Sequence, residues 1–348
     1  MGIFGPAPLT SPPLSRTVFK KVSDLTLKQS GETAVERDQQ ITDKFIEFQK
    51  QDSDKPYFGF LFYDAAHGTV FPEPEFAKFK PYWERVDHIL LNNDLSAGIP
   101  GILEDLHEQF LLPPLHAGWS VRRKSQHFAS YEEVAKRFGK LLGIDPWLIN
   151  PMFNQCGEVS FTEGTGLECL RSNTDALLTK IRRKYKEYGI QEKPFVVIKA
   201  DNGTYGMGIM TVRDIKDLEA LNRKTRNKMS VIKDGQEVSE VIIQEGVLTH
   251  EQINDAVAEP VVYMMDRYVV GGFYRVHAER GIDENLNAPG ASFVPLAFEQ
   301  SAHTPQPGAK AGASAPNRFY MYGVIGRLAM LAASYELEAT DPDAEIYD

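Results

Sequence analysis

Cysteines, long apolar runs and basic clusters are all scarce in this sequence, and each scarcity excludes a class of protein. The two cysteines, Cys156 and Cys169, are too few for a disulfide framework, which favours a reducing compartment such as the cytoplasm. Apolar runs such as 195–198 are much shorter than the ~20 residues that span a bilayer, so we expect no membrane segment. The N-terminus lacks the features of a secretory signal. A net charge of −10 without a dense Lys/Arg block argues against nucleic acid as a partner.

The length of 348 residues predicts more than one domain. We expect a mixed α/β (α+β) protein whose strands concentrate after residue 194. The expected segments are a Pro-rich linker (1–16), a smaller N-terminal α/β segment (17–90), a central part (91–190), a strand-rich lobe (191–340) with a flexible loop (301–316), and an acidic tail (341–348).

Residue periodicity and capping signals predict the individual elements. Predicted helices cover 131–142, with Ser130 and Glu133 as a capping box, then 174–188 and 319–337. Helical spacing is also present within 38–50. Short helices are expected at Asp214 and at Thr249, where Gln252 completes another capping box. Predicted strands cover 57–63, 88–91, 195–200, 209–212, 241–245, 261–265 and 268–277, the last two as a hairpin around Asp266 and Arg267.

A glycine-rich loop in FVVIKADNGTYGMGIMTV is the most informative motif. Lys199 precedes it, and its candidate phosphate-binding residues are Gly203, Thr204, Gly206 and Gly208. Glycines let backbone N–H groups approach phosphates, and a lysine neutralises their charge. Since a strand follows, the loop fits neither a Walker A nor a dinucleotide motif. It resembles the loop of ATP-grasp enzymes, which hold a nucleotide between two lobes. The alternative is an ordinary Gly-rich hairpin with a surface lysine.

The strand in VIIQEGV ends in a carboxylate and a glycine. In ATP-grasp enzymes such a strand end forms the hinge where backbone groups hold adenine and an acidic side chain holds ribose. By that resemblance the nucleotide-binding candidates here are Gln244, Glu245 and Val247, with Glu245 at the ribose. The alternative is a solvated charge at a strand end.

Chemistry-bearing residues also follow in GGFYRVH and DENLNAPG. Arg275 and His277 share one face of a predicted strand, and Arg275 is a candidate for binding a transferring phosphoryl group. Mg²⁺ prefers oxygen ligands, which Glu284, Asn285 and Asn287 could supply. The alternatives are an Arg in a surface ion pair, a core His satisfied by hydrogen bonds, and an Asn-Pro-Gly turn.

Several stretches together resemble the proteobacterial glutamate-cysteine ligase family from about residue 90 to residue 337. They include LLNNDLSAGIP, PPLHAGWSVRRKSQHFASY, GIDPWLINPMFNQCGE, VVIKADNGTYGMGIMTVRD and DENLNAPGASFVPLAFE. The resemblance implies an ATP- and Mg²⁺-dependent enzyme of glutathione biosynthesis. Such an enzyme phosphorylates the γ-carboxylate of L-glutamate, and the amine of L-cysteine then displaces phosphate. Lys199 and Arg275 would stabilise the phosphates, and Arg122, Arg123 and Lys124 would help to recruit glutamate.

The front of the chain departs from that family. Residues 38–93, with RDQQITDKFIEF and KPYFGFLFYDAAHGTVF, look like a fragment of sulfatase-type proteins of the alkaline-phosphatase superfamily. Asp64 and His67 alone cannot form the metal cluster of such a hydrolase, so we expect no hydrolase activity and interpret the chain as a fusion. Two further hypotheses stay open: an ATP-grasp ligase for another acid and amine, and a catalytically incomplete nucleotide-binding chimera.

Overall fold

The computed structural model describes residues 121–202, 208–219, 221–231, 237–295 and 318–342, together with short stretches and single positions before residue 119. The chain forms two compact units, residues 1–120 and 121–348. The helices between residues 124 and 188 therefore belong to the same unit as the strands after residue 194. The sequence analysis instead places segment boundaries near 90 and 190. Within the described part of the chain, no helix has the length and apolar character needed to cross a membrane.

The first unit contains five described strands. They are β1 (Gly2–Gly5), β2 (Thr26–Lys28), β3 (Gly59–Leu61), β4 (His88–Leu90) and β5 (Phe110–Leu112). Strand β1 lies between β2 and β3 in parallel pairing, and β4 pairs in parallel with β5. Strands β3 and β4 lie within the predicted strand segments 57–63 and 88–91. Leu95, Leu103 and Leu106 form a small apolar cluster.

The second unit alternates helices with two sheets. In chain order its elements are α1 (Lys124–Leu142), β6 (Phe153–Cys156), α2 (Leu167–Tyr188), β7 (Val196–Ala200), β8 (Ile209–Val212), α3 (Lys216–Glu219), α4 (Arg223–Ser230), β9 (Val241–Glu245), β10 (Gln252–Ile253), β11 (Ala256–Met265), β12 (Tyr268–His277), β13 (Ser292–Pro295) and α5 (Arg318–Thr340). This mixed composition confirms the predicted α/β class.

The first sheet has the strand order β6-β9-β7-β8, and all its pairs are antiparallel. Helix α2 covers one face, because its apolar side chains fall on one side of the helix and the strands present alternate apolar residues to them. Leu177, Leu178 and Ile181 of α2 are buried there with Ile198 and Ile243 of the sheet. This packing is the main core of the unit.

The second sheet has the order β10-β11-β12-β13, also antiparallel. Strands β11 and β12 form the predicted hairpin, and Asp266 in its turn has a positive φ of 50°. Helix α5 packs on this sheet, where a side chain at Gly326 would collide with the sulfur of Met264. Residues of α5 and α1, including Leu328 and Val134, form a second apolar cluster.

Three predicted helix starts are wrong. Helix α2 begins at Leu167 rather than at Thr174, and the other two starts carry a capping pattern. Helix α1 begins at Lys124 rather than at 131, so Ser130 lies inside the helix and caps nothing. Thr249 begins no helix, because the chain continues into strand β10 at Gln252 and pairs with β11. In both places tertiary contacts override a local capping pattern. The predicted loop 301–316 lies outside the described residues.

Candidate active site

Lys199 and Gln244 meet on the face of the first sheet that is opposite to helix α2. Lys199 pairs with Ile242 across β7 and β9, so the alternation of side chains places Lys199 and Gln244 on the same face. The Lys199 ammonium donates to Gln244 Oε1 at 2.6 Å. Burial lowers the pKa of Lys199. The site therefore holds a desolvated cation whose partner here is a neutral amide, which favours binding of an anion.

The glycine-rich loop connects β7 and β8, which confirms the predicted order of strand, loop and strand. Gly203, Thr204 and Gly206 lie outside the described residues, while Gly208 is described. Gly208 has a φ of 60°, in the left-handed region that favours glycine. Its carbonyl accepts from the backbone N–H of Ala200 at 3.1 Å. The two ends of the loop are thus joined at its base.

The first turn of helix α1 holds the start of this loop. The Lys124 ammonium donates to three successive carbonyls, those of Ala200 (2.9 Å), Asp201 (3.3 Å) and Asn202 (3.0 Å). The Asp201 carboxylate accepts from the backbone N–H of Ser125 at 2.8 Å and from its hydroxyl at 2.6 Å. Burial lowers the pKa of Lys124 to about 8, opposed by the charge of Asp201. The loop therefore leaves the sheet from a fixed point.

The basic cluster before α1 is engaged within the protein. Arg122 makes a bidentate ion pair with Glu336 of α5, at 2.6 and 2.8 Å, and His127 also contacts that buried carboxylate at 2.9 Å. Arg123 pairs with Glu240 at 3.1 Å. With Lys124 bound to carbonyls, all three predicted glutamate-recruiting residues have intramolecular partners, and their contact with substrate stays a prediction.

Glu245, the predicted ribose ligand, lies on the opposite face of the sheet from Lys199. It pairs with Val196 and points toward α2. Its carboxylate accepts from the indole N–H of Trp147 at 2.9 and 3.1 Å and from the backbone N–H of Met152 at 3.0 Å. Burial raises the pKa of Glu245, partly opposed by these hydrogen bonds. The structure therefore does not bring this carboxylate together with Lys199.

The two residues after Glu245 lead the chain out of the sheet. Gly246 donates its N–H to the carbonyl of Phe195 at 2.8 Å, and a side chain at this position would penetrate the Phe195 ring. Val247 is 68% exposed. The chain at Gly246 approaches β7 so closely that only glycine fits, and its path then turns outward to an exposed side chain.

Arg275 lies in the second sheet. It forms an ion pair with Glu259, its partner residue on β11. Its Nε is buried and has no hydrogen-bond partner among the described residues, so this guanidinium retains an unused donor within that part of the chain. His277, on the same face, accepts from the backbone N–H of Glu279 and contacts the carbonyl oxygen of Pro289. Those bonds fit the alternative of a satisfied core histidine.

The predicted metal ligands lie in an exposed turn after β12. Glu284 accepts from the backbone N–H of Gly281 and pairs with Arg280, and these contacts lower its pKa. Asn285 Oδ1 accepts from the backbone N–H of Asn287 at 2.9 Å, which is an Asx turn. The described residues contain no cluster of three His, Cys, Asp or Glu side chains suited to a metal. Mg²⁺ binding here stays a prediction.

Sequence reasoning missed the partners that position this site. Ser125, Trp147 and Glu336 make long-range bonds to Asp201, Glu245 and Arg122, and the partners are separated by 76, 98 and 214 positions. No local pattern signals such pairs in a single sequence.

We expect Trp147→Phe to weaken the fold in a pH-dependent way. Losing a donor to a buried carboxylate costs about 1–3 kcal/mol. Because the pKa of Glu245 is raised above its usual 4.5, the stability contributed by the protonated carboxyl is lost as the pH rises through the folded-state pKa. The substitution should raise that pKa further and enlarge the loss. Urea unfolding at a series of pH values from about 4.5 upward measures this effect.

Glu245→Gln supplies the control, since its side chain does not titrate. The double variant Trp147→Phe/Glu245→Gln should have the pH dependence of Glu245→Gln alone. A pH dependence of Trp147→Phe equal to that of the unsubstituted protein would show that the indole does not stabilise the charged carboxylate.

Comparisons with known proteins agree with the resemblance found in the sequence. In a crystal structure, a protein from Methylobacillus flagellatus KT that carries a provisional name as a gamma-glutamylcysteine synthetase is 61% identical, with a TM-score of 0.65. The match covers 73% of this chain and 60% of that one. The chain thus spans less than two thirds of its relative's length. D-cycloserine synthetase DcsG matches at 12% identity and a TM-score of 0.38, which carries no argument. No curated protein matches.

The family model of glutamate-cysteine ligase, GshA, matches residues 78–337. This match begins before residue 90, where the sequence analysis placed the start of the resemblance, and it includes part of the segment 38–93. The comparisons give no support to the sulfatase-type resemblance of that segment. With most of its length covered by the model, the chain belongs to the glutamate-cysteine ligase family.

Proposed function

We propose that this protein joins the γ-carboxylate of L-glutamate to the amine of L-cysteine at the expense of ATP. The observation that carries the proposal is the buried Lys199 ammonium, paired with the neutral Gln244 amide at the base of a glycine-rich loop. This arrangement lies inside the residues that match the ligase family. As in ATP-grasp enzymes, the nucleotide would lie between two lobes, here the first sheet and the second.

The chemistry asks the protein for charge neutralisation and positioning rather than for a nucleophile. A carboxylate is a poor acyl donor, and phosphorylation gives it a leaving group that the incoming amine displaces. Lys199 would neutralise phosphate oxygens, and the unused Nε donor of Arg275 suits a further phosphoryl oxygen. The loop anchored by Lys124 would cover the phosphates and exclude water.

Bound Mg²⁺ would neutralise the charge of the phosphates and orient them. Glu284 and the Asn pair have the oxygen atoms that this cation prefers. They are exposed, and the Asp283 carboxylate beside them pairs with Arg213, which follows strand β8. That contact joins the turn to the end of β8 that is opposite to the glycine-rich loop. The side chains of Glu284 and Asn285 form hydrogen bonds with residues close in sequence. Metal binding would replace those hydrogen bonds.

ADP release measured with glutamate alone, with cysteine alone and with both tests the function. We expect release to depend on both amino acids, because the acyl phosphate is consumed by the amine. Release that follows glutamate together with a different amine would indicate a ligase for another pair. ATP binding without turnover under all conditions would identify a catalytically incomplete chain.

Lys199→Met should reduce ATP-dependent turnover by roughly 10²–10³, the usual loss when one such donor is removed from an enclosed site. The fold should persist, because methionine fills a similar volume and removes a desolvated charge. Turnover and thermal unfolding without nucleotide measure the two effects. Lys186→Met is the matched control on an exposed face of α2 and should leave turnover unchanged. Near-normal ATP dependence of Lys199→Met would contradict the phosphate assignment.

Glu284→Gln and Asn287→Ala should each raise the Mg²⁺ concentration needed for half-maximal turnover. The loss of the exposed pair with Arg280 should cost little stability, about 0.2–1 kcal/mol. Magnesium titrations of turnover, with Glu279→Gln as an exposed control nearby, measure the change. Unchanged titrations would favour the turn alternative.

A further inference from the structure

The two cysteines of the chain lie beside each other although 13 positions separate them. Cys156 ends strand β6, and Cys169 lies in the first turn of helix α2. Their sulfur atoms are 3.1 Å apart, and both are free thiols. Because the sequence contains two cysteines in all, the fold has brought together its whole complement of thiols.

One side chain holds the pair from the next turn of α2. The Asn173 amide donates to the sulfur of Cys156 at 3.4 Å and to that of Cys169 at 3.3 Å. The same amide donates to the carbonyl of Cys169, and the carbonyl of Asn173 accepts from Asn154 on β6. Both thiols are therefore positioned by one group that is itself tied to helix and strand.

The two thiols differ in their access to solvent. Cys169 is exposed, whereas Cys156 is buried at 3% exposure within the main core. Burial, followed by the hydrogen bond between the two thiols, raises the pKa of Cys156 to about 12. An exposed thiol beside a buried one is the arrangement in which the first reacts with an oxidant and the second resolves the product.

A disulfide requires a sulfur separation of about 2.05 Å. From 3.1 Å, small changes in the two side chains supply the remaining approach. We propose that Cys156 and Cys169 are a redox modification site, at which peroxide or a small-molecule disulfide converts the dithiol into a reversible intramolecular disulfide. The inference is independent of the ligase reaction, since it involves neither its substrates nor Lys199.

Oxidation by hydrogen peroxide proceeds in two steps. The Cys169 thiolate attacks one peroxide oxygen, the O–O bond breaks, and the departing hydroxide takes up a proton to give water. The sulfur of Cys156 then attacks the sulfur of the Cys169 sulfenic acid. The S–O bond breaks, and hydroxide leaves with the Cys156 proton as a second water. The two sulfurs lose two electrons in total, and peroxide gains them.

The site lies in the same sheet as the glycine-rich loop. Cys156 pairs with Val241, and Val241 pairs with Ala200, where the loop begins. Adjacent strands are about 4.8 Å apart, so the disulfide would form about two strand spacings from the carbonyls that Lys124 holds. Oxidation would fasten the first turn of α2 to this row of residues.

Oxidation of the reduced full chain with hydrogen peroxide, followed by thiol counting in denaturant and intact mass measurement, tests the proposal. We expect the thiol count to fall from two to zero with a mass loss of two hydrogen atoms, without dimers on a non-reducing gel. Dithiothreitol should restore both thiols. The oxidised protein should unfold at a temperature several degrees higher, because a closed loop restricts the unfolded chain.

Three variants distinguish oxidation at a cysteine pair that the fold positions from unspecific oxidation of a thiol. Cys156→Ser should stop at the sulfenic acid of Cys169, and Cys169→Ser should keep its buried thiol. Asn173→Ala retains both thiols and should form the same disulfide several-fold more slowly. Two thiols persisting in the unsubstituted protein, or disulfide-linked dimers instead of an internal bond, would overturn the proposal. That measurement needs no variant, so a variant that fails to fold does not remove the test.

Discussion

The candidate site depends on the hydrogen bonds between the first turn of helix α1 and the start of the glycine-rich loop. The Lys124 ammonium donates to three successive carbonyls, and the Asp201 carboxylate accepts from the backbone N–H and the hydroxyl of Ser125. Glycine-rich backbone is conformationally free and loses much entropy when it is fixed. A loop that binds phosphate therefore needs a fixed starting point. The first turn of α1 provides it, because its N–H groups have no partner within the helix and one of them donates to the Asp201 carboxylate. Arg122 and Glu336 extend this support to helix α5.

Strand alternation divides the chemistry of the first sheet between its two faces. Lys199 and Gln244 lie on one face, and the neighbouring Glu245 lies on the other, where Trp147 and α2 enclose it. The Glu245 carboxylate thus has a structural role. It joins the sheet to the turn before β6 by accepting hydrogen bonds from an indole and from a backbone N–H. The same alternation puts Cys156 among core residues, and its partner Cys169 lies on an exposed turn of helix α2.

The second sheet holds the groups that we propose for the phosphate end of the nucleotide. Within the part of the chain that the structure describes, Arg275 keeps one donor without a partner, and Glu259 balances its charge. The contact of Arg213 with Asp283 ties the turn after β12 to the strand that follows the glycine-rich loop. Two sheets joined in this way, in a chain of the glutamate-cysteine ligase family, make a two-lobed nucleotide site a coherent proposal.

Much of this architecture follows from local patterns: the alternating residues of β7, β9 and the β11–β12 hairpin, the apolar stripe of α2, and the glycine-rich loop after Lys199. These features depend on period and turn chemistry, which neighbouring residues determine. The contact of Lys199 with Gln244 depends in addition on the pairing of β7 with β9 and on its register, which the sequence analysis does not predict. Only the tertiary structure decided that α1 begins at Lys124, that Glu245 faces Trp147, and that the two cysteines meet, because these outcomes depend on contacts between residues far apart in the chain.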